Sequence, residues 1–134
     1  MDTKKYITLE EILYNEARDL EIPGVGVVKV KDPTVLDRIE AKKAAMKHPL
    51  WDKMSEDEQG SEIQRQLALR MLVEPKITQE QYLQANDPLM FTILDTVIID
   101  YVMRLKALTD KRKKILQDFL DLMKEGGLLS TIRS

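Results

Sequence analysis

The side chains that could perform chemistry are few and widely spaced. The sequence has one histidine, His48, and no cysteine, so it offers neither a thiolate nor a pair of imidazoles for a transition metal. Asp118, Asp121 and Glu125 share one face of a predicted helix, but a hard-cation site needs oxygens that converge from a loop or from several elements. We therefore predict no metal site, no cofactor site and no catalytic residue, and we expect that the chain is not an enzyme.

Basic residues cluster between residues 104 and 114. They are Arg104, Lys106, Lys111, Arg112, Lys113 and Lys114. The whole chain nevertheless carries 21 basic and 23 acidic side chains, with a formal net charge of -2. Nucleic-acid binders need a net basic face and stacking aromatic side chains, and only 5% of these residues are aromatic. The cluster predicts a solvated helix face and no nucleic-acid site, with an anionic partner surface as the alternative.

The first residues of the chain do not have the pattern of a secretory signal. Such a signal needs an apolar run of at least about seven residues, and here Glu10 and Glu11 interrupt the run early. No apolar stretch approaches the roughly 18 residues that span a bilayer. We expect a cytoplasmic protein that does not bind membranes.

The N-terminal third predicts one helix and one strand. Thr8 and Glu11 form a capping-box pattern before a first helix over residues 8–20. Pro23-Gly24 is a turn signal, and the β-branched valines of residues 25–31 favour an extended strand. Because a lone strand leaves its edges unpaired, it must pair with a nearby segment or with another copy of the chain.

Three further helices are predicted from capping residues and prolines, over about residues 33–47, 56–73 and 79–86. The first of them follows Asp32-Pro33, where aspartate is the N-cap and proline takes the first helical position. The other two begin at capping-box pairs, Ser55 with Glu58 and Thr78 with Gln81.

Residues 89–108 form the most apolar segment of the sequence. Apolar side chains cover more than half of the circumference of this predicted helix, so we expect it to be the central helix of the core. Thr109-Asp110 could cap a separate last helix over residues 111–125, and the sequence leaves open whether the two helices are continuous.

These elements predict a mainly α fold, a small helical bundle of about five helices with one short β segment over about residues 25–31. A chain of 134 residues fits one domain, residues 1–134. It would comprise an N-terminal helix and extended segment over 1–31, a helical core over 32–125, and a flexible tail over 126–134.

The order of motifs over roughly residues 22–120 resembles that of the tail assembly chaperones of tailed phages and prophages. Residues 67–78 (LALRMLVEPKIT) give a helix followed by a "V-x-P" turn. Leu83 lies in the short helix that follows, and residues 98–102 (IIDYV) lie in the long apolar helix. Residues 23–31 (PGVGVVKVK) resemble the extended segment that precedes the first main helix in that family.

The resemblance implies a non-catalytic protein that binds the tape measure protein and keeps it soluble while the tail tube assembles. It implies a protein of the bacterial host cytoplasm that is absent from the mature virion, with the tail-tube protein as a further partner. Self-association of the chain is left open. The alternatives are a structural component of the virion tail and a small helical regulatory protein.

The surface that binds the client, the tape measure protein, is predicted from apolar residues without an obvious place in the core. Leu128, Leu129 and Ile132 follow the Gly126-Gly127 joint, and they either contact the partner or fold back onto the bundle. Methionine side chains adapt to irregular surfaces, so Met103 and Met123 are added as candidate partner-binding residues, with core packing as the alternative.

Overall fold

Helices dominate the structure, which is a computed structural model. It describes the backbone of residues 5–125 and, within that range, all side chains except those of residues 119 and 122–125. The helices are α1 (Leu9–Leu13), α2 (Val35–Met46), α3 (Glu56–Met71), α4 (Gln79–Gln84) and α5 (Asp87–Glu125). The strands are β1 (Arg18–Ile22), β2 (Gly26–Val30) and β3 (Leu72–Glu74), and a 3-10 helix covers Trp51–Lys53. The mainly α prediction is confirmed in outline, but the prediction of one β segment is incomplete.

The three strands form one antiparallel sheet in the order β1-β2-β3. The turn between β1 and β2 closes with a hydrogen bond of 2.9 Å from the Val25 amide to the Ile22 carbonyl. Pro23 and Gly24 occupy its centre, and Gly24 has a φ of 74°, which a type II turn requires at that position. The predicted strand, β2, therefore pairs within its own chain, with the nearby β1 on one side and with the later strand β3 on the other.

The prediction of a first helix over residues 8–20 is wrong beyond residue 13. Thr8 caps α1 by accepting a hydrogen bond from the Glu11 amide at 3.1 Å, as predicted. The helix is short because residues 18–22 pair with β2, in a register that sets Leu20 against Val28. Asn15 fixes the base of this hairpin by exchanging hydrogen bonds of 2.8 and 2.9 Å with the backbone of Asp32.

Side-chain caps define the starts of α2, α3 and α4. Ser55 with Glu58, and Thr78 with Gln81, form the predicted capping boxes. The predicted cap of α2 is wrong, because Thr34 occupies that position and forms a capping box with Asp37. The ends also differ from prediction, since α3 stops at Met71 and the next residues, Leu72–Glu74, form β3.

The buried apolar core described here belongs to the first of two units into which the chain divides, Met1–Ile98 and Ile99–Ser134. The sheet contributes Ile22, Val28, Val30 and Leu72; α2 contributes Ala41 and Ala45; α3 contributes Leu67, Ala68, Leu69 and Met71; and α5 contributes Met90, Leu94 and Val97. The assignment of residues 1–134 to a single domain stays a prediction.

The prediction that the whole segment 89–108 lies in the core is wrong. Its buried residues end at Val97, and the second unit exposes Ile99, Val102, Met103 and Leu108. Apolar periodicity shows which face of a helix needs cover, but it does not show what covers that face. Leu108 and Thr109 lie inside α5. The two predicted helices, residues 89–108 and 111–125, are therefore continuous.

Candidate functional site

A buried carboxylate links α3 to α4 in the first unit. Glu62 on α3 is 4% exposed, and the Tyr82 hydroxyl on α4 donates to its two carboxylate oxygens at 3.0 and 2.9 Å. The Gln66 side-chain amide, one helical turn along α3, donates to Glu62 Oε1 at 3.1 Å. Because a buried polar group is costly unless it is hydrogen-bonded, these bonds hold α4 in one position on α3.

Arg65 lies beside this network. Its guanidinium carbon is 3.4 Å from the centroid of the Phe91 ring, in a cation–π arrangement. The Arg65 Nε atom is buried and has no hydrogen-bond partner among the described residues. Arg65, Glu62 and Tyr82 line a pocket of about 240 Å³, which also includes His48 and Asp87.

The chemistry available in this polar pocket is limited. Burial, followed by the hydrogen bond to Glu62, raises the pKa of Tyr82 above its ordinary value, so its hydroxyl keeps its proton at neutral pH. The Glu62 carboxylate is already engaged by Tyr82 and Gln66. Within residues 5–125, no group of three or more histidine, aspartate or glutamate side chains is placed to hold a metal ion. The pocket is therefore best explained as the polar joint between two helices.

Exposed apolar side chains give three further candidate surfaces, each on a separate segment of the chain. The first is the N-terminal segment around α1, where the large apolar side chains are 67% to 80% exposed. They are Tyr6, Ile7, Leu9, Ile12, Leu13 and Tyr14. Glu10 and Glu11 lie among them, so this surface is acidic as well as apolar.

The second exposed segment is one side of α2. Val35, Leu36, Ile39 and Met46 are each at least half exposed, while Ala41 and Ala45 of the same helix are buried. The small alanines let α2 pack closely on its neighbour, and the larger apolar side chains of α2 remain accessible.

The third exposed segment lies on α5 in the second unit, and we call it the α5 stripe. It consists of Val102, Leu105, Leu108, Ile115 and Leu116, which are 41% to 61% exposed. Their spacing of three, seven and one residues keeps them on one side of an α-helix. Basic residues of the cluster that the sequence shows between 104 and 114 are interleaved with the stripe.

The predicted partner-binding residues fall in different places. Met103 lies on α5 and is 65% exposed. Met123 lies within α5, and its side chain is outside the described residues. Leu128, Leu129 and Ile132 also lie outside the described residues. Of the five predicted residues, only the side chain of Met103 therefore lies among the described residues, and the predicted site stays a prediction.

Sequence reasoning missed the polar joint and the exposed surfaces of α1 and α2. Glu62, Gln66 and Leu69 follow one face of α3 with spacings of four and three residues, which was the only signal that the two polar residues are buried. Tyr82 is 20 residues from Glu62, and no local pattern connects them.

No helix within residues 5–125 is long and apolar enough to cross a membrane. Comparisons of the sequence with protein-family models and with curated proteins, and of the fold with solved structures, found no significant match.

Proposed function

We propose that this chain is a phage tail assembly chaperone that binds the tape measure protein during tail-tube assembly and is not an enzyme. The observation that carries this proposal is the exposure of large apolar side chains on three separate segments, α1, α2 and the α5 stripe. Monomeric proteins rarely leave extended apolar surface open to water unless another molecule covers it. A surface of this kind suits a long helical client that must be kept from aggregating.

The order of elements gives further support. A helix (α3), the Val73-Glu74-Pro75 segment that includes the end of β3, a short helix (α4) and a long helix (α5) follow one another in the order of the family that the sequence resembles. The polar joint at Glu62 holds two of these helices, α3 and α4, together. Under this proposal the chain acts in the cytoplasm of the bacterial host, contacts the tail-tube protein at most transiently and does not remain in the virion.

Co-expression with the tape measure protein encoded in the same phage or prophage tests the proposal. We expect the tape measure protein to move from the insoluble to the soluble fraction and to co-purify with this chain. An unrelated acidic protein of similar length is the control and should leave the tape measure protein in the pellet. An insoluble client in the presence of the chain would refute the proposal.

Deletion of residues 128–134 tests the predicted contribution of the apolar tail. We expect the melting temperature to stay nearly unchanged while less tape measure protein co-purifies. A large fall in melting temperature would assign Leu128, Leu129 and Ile132 to the core instead.

The alternative role, a structural component of the virion tail, would also cover these apolar surfaces. Mass spectrometry of purified particles distinguishes the two roles. We expect peptides of this chain in the lysate of infected or induced cells and none in the purified particles, whereas stoichiometric peptides in particles would favour the structural role.

A further inference from the structure

The α5 stripe has the geometry of one half of a helix–helix interface. At about 100° of rotation per residue, Val102, Leu105, Leu108, Ile115 and Leu116 fall within an arc of about 140°. All five side chains are exposed. Leu105, Leu108 and Ile115 also follow the heptad spacing that lets a second helix pack along the first. The stripe is therefore shaped to receive a helix.

Positive charge borders the stripe on both edges. On the helical wheel, Arg104 and Lys111 lie along one edge, and Lys106 and Lys113 lie along the other. Asp110, Asp121 and Lys114 project from the opposite side of the helix. Asp100 and Asp118 lie next to Arg104 and Lys111 but farther from the stripe. These borders contrast with the chain's formal net charge of -2. A helix that lies in the stripe would therefore pass basic side chains on both edges between residues 104 and 113.

Arg112 lies in the middle of the arc, between the apolar residues, and its side chain is exposed. Among the described residues, Arg112 lines a hollow of about 690 Å³ together with Thr109, Lys113, Ile115 and Leu116. Once the stripe is covered, this guanidinium loses water and needs a carboxylate opposite it, because an unpaired charge at an apolar interface is costly.

Two other occupants fit these charges poorly. A second copy in parallel register would set Arg112 against Arg112, and an antiparallel copy centred on the stripe would bring the basic borders together. An anionic lipid surface would attract the borders, but it would place Arg112 among acyl chains without a counter-charge.

We propose that the α5 stripe docks an acidic amphipathic helix of another protein, with apolar residues at heptad spacing, acidic residues on both borders and one carboxylate facing Arg112. This inference rests on the proposed function in one respect, namely that the client protein supplies the docked helix. It adds to that function the chemical class of the client segment that the chain binds.

Binding of synthetic peptides to the full chain tests the inference without any client. One labelled heptad peptide carries leucine in its stripe, glutamate on its borders and one glutamate opposite Arg112, and a second peptide carries lysine in place of every glutamate. We expect fluorescence anisotropy to show binding of the glutamate peptide alone, and weaker binding as salt is raised.

Charge reversal assigns the contact to Arg112. We expect Arg112→Glu to weaken binding of the glutamate peptide by about tenfold or more, and a peptide with lysine at the facing position to restore it. Lys114→Glu makes the same reversal on the side of α5 opposite the stripe and should have little effect. Circular dichroism should give the same helicity for both variants, since both side chains are exposed.

Four results would overturn the inference: no binding of the glutamate peptide, equal binding of both peptides, dimerisation of the chain alone that Leu108→Asp abolishes, or tighter binding to phosphatidylglycerol vesicles than to the peptide. Peptide binding without any effect on the tape measure protein would instead uphold the docking chemistry and refute the proposed function alone.

Discussion

Glu62 and Tyr82 show at the residue scale how one polar contact can hold two helices together. The Glu62 carboxylate is almost wholly removed from water, and among the described residues the side chains of Tyr82 and Gln66 donate hydrogen bonds to it. Loss of the Tyr82 donor leaves a buried carboxylate partly unsatisfied, which costs more than the bond itself contributes.

Tyr82→Phe should therefore lower the free energy of unfolding by about 1–3 kcal/mol. Urea denaturation of the purified chain measures the change. Tyr14→Phe is the matched control, because Tyr14 also donates its hydroxyl to a glutamate, Glu16, but at the exposed surface. Equal losses of unfolding free energy in the two variants would show that the buried hydrogen bond stabilises the chain no more than the exposed one.

The raised pKa of Tyr82 makes the same joint sensitive to high pH. An unfolded tyrosine titrates near 10.0, whereas burial and the hydrogen bond to Glu62 keep the folded residue protonated to higher pH. Above pH 10 the unfolded chain therefore holds fewer protons at this position than the folded chain, so stability falls as pH rises. Below that pH the contribution of Tyr82 is fully present.

We expect the stability difference between the wild-type chain and Tyr82→Phe to shrink between pH 8 and pH 11. Denaturation curves at the two pH values measure it, and other titrating groups cancel because both proteins contain them. A difference that stays constant with pH would contradict the assigned pKa shift.

At the scale of elements, the hairpin and α3 respond in opposite ways to the same substitution. Gly24 has a positive φ in the turn before β2, whereas Gly60 lies within α3. Nothing lies within 4 Å of the Cβ that alanine would add at either position, so backbone preference alone decides the sign.

Gly24→Ala should destabilise the chain by about 1 kcal/mol, since a left-handed conformation disfavours a side chain. Gly60→Ala should stabilise it by roughly 0.5–1 kcal/mol, because alanine is the better helix former. Thermal unfolding compared with wild type measures both shifts, and shifts of the same sign would contradict the turn geometry.

The first turns of α5 and its later part differ in burial. Leu94 is fully buried, whereas Leu108 is 61% exposed. Leu94→Ala should cost about 2–5 kcal/mol through lost burial and the cavity that remains. Leu108→Ala should change stability by less than about 1 kcal/mol, because little of its surface is removed from water. Similar losses in chemical denaturation would place both residues in one core.

The sequence predicted the starts of two helices from local signals, since Ser55 with Glu58, and Thr78 with Gln81, cap α3 and α4 as predicted. It could not predict which apolar side chains of a helix are buried. Leu94 and Leu108 look equally apolar in the sequence, and only tertiary packing separates them. β1 was missed because its pairing with β2 overrides the helical pattern of residues 8–20, and the contact from Glu62 to Tyr82 was missed because 20 residues separate its partners.

At the scale of the whole molecule, the described residues combine a buried core with many large apolar side chains that are open to water. Core side chains come from the sheet, α2, α3 and the beginning of α5, all in the first unit. The predicted site residue Met103 and the α5 stripe lie in the second unit, where most of the large apolar side chains that the structure describes are exposed. Such a distribution suits a protein that acts by covering another polypeptide.

Light scattering during dilution of denatured tape measure protein tests this account most directly. With the chain present at equal or higher concentration and no nucleotide added, we expect the rise in scattering to be suppressed in proportion to the amount of chain. Scattering that rises equally with and without the chain would contradict the account.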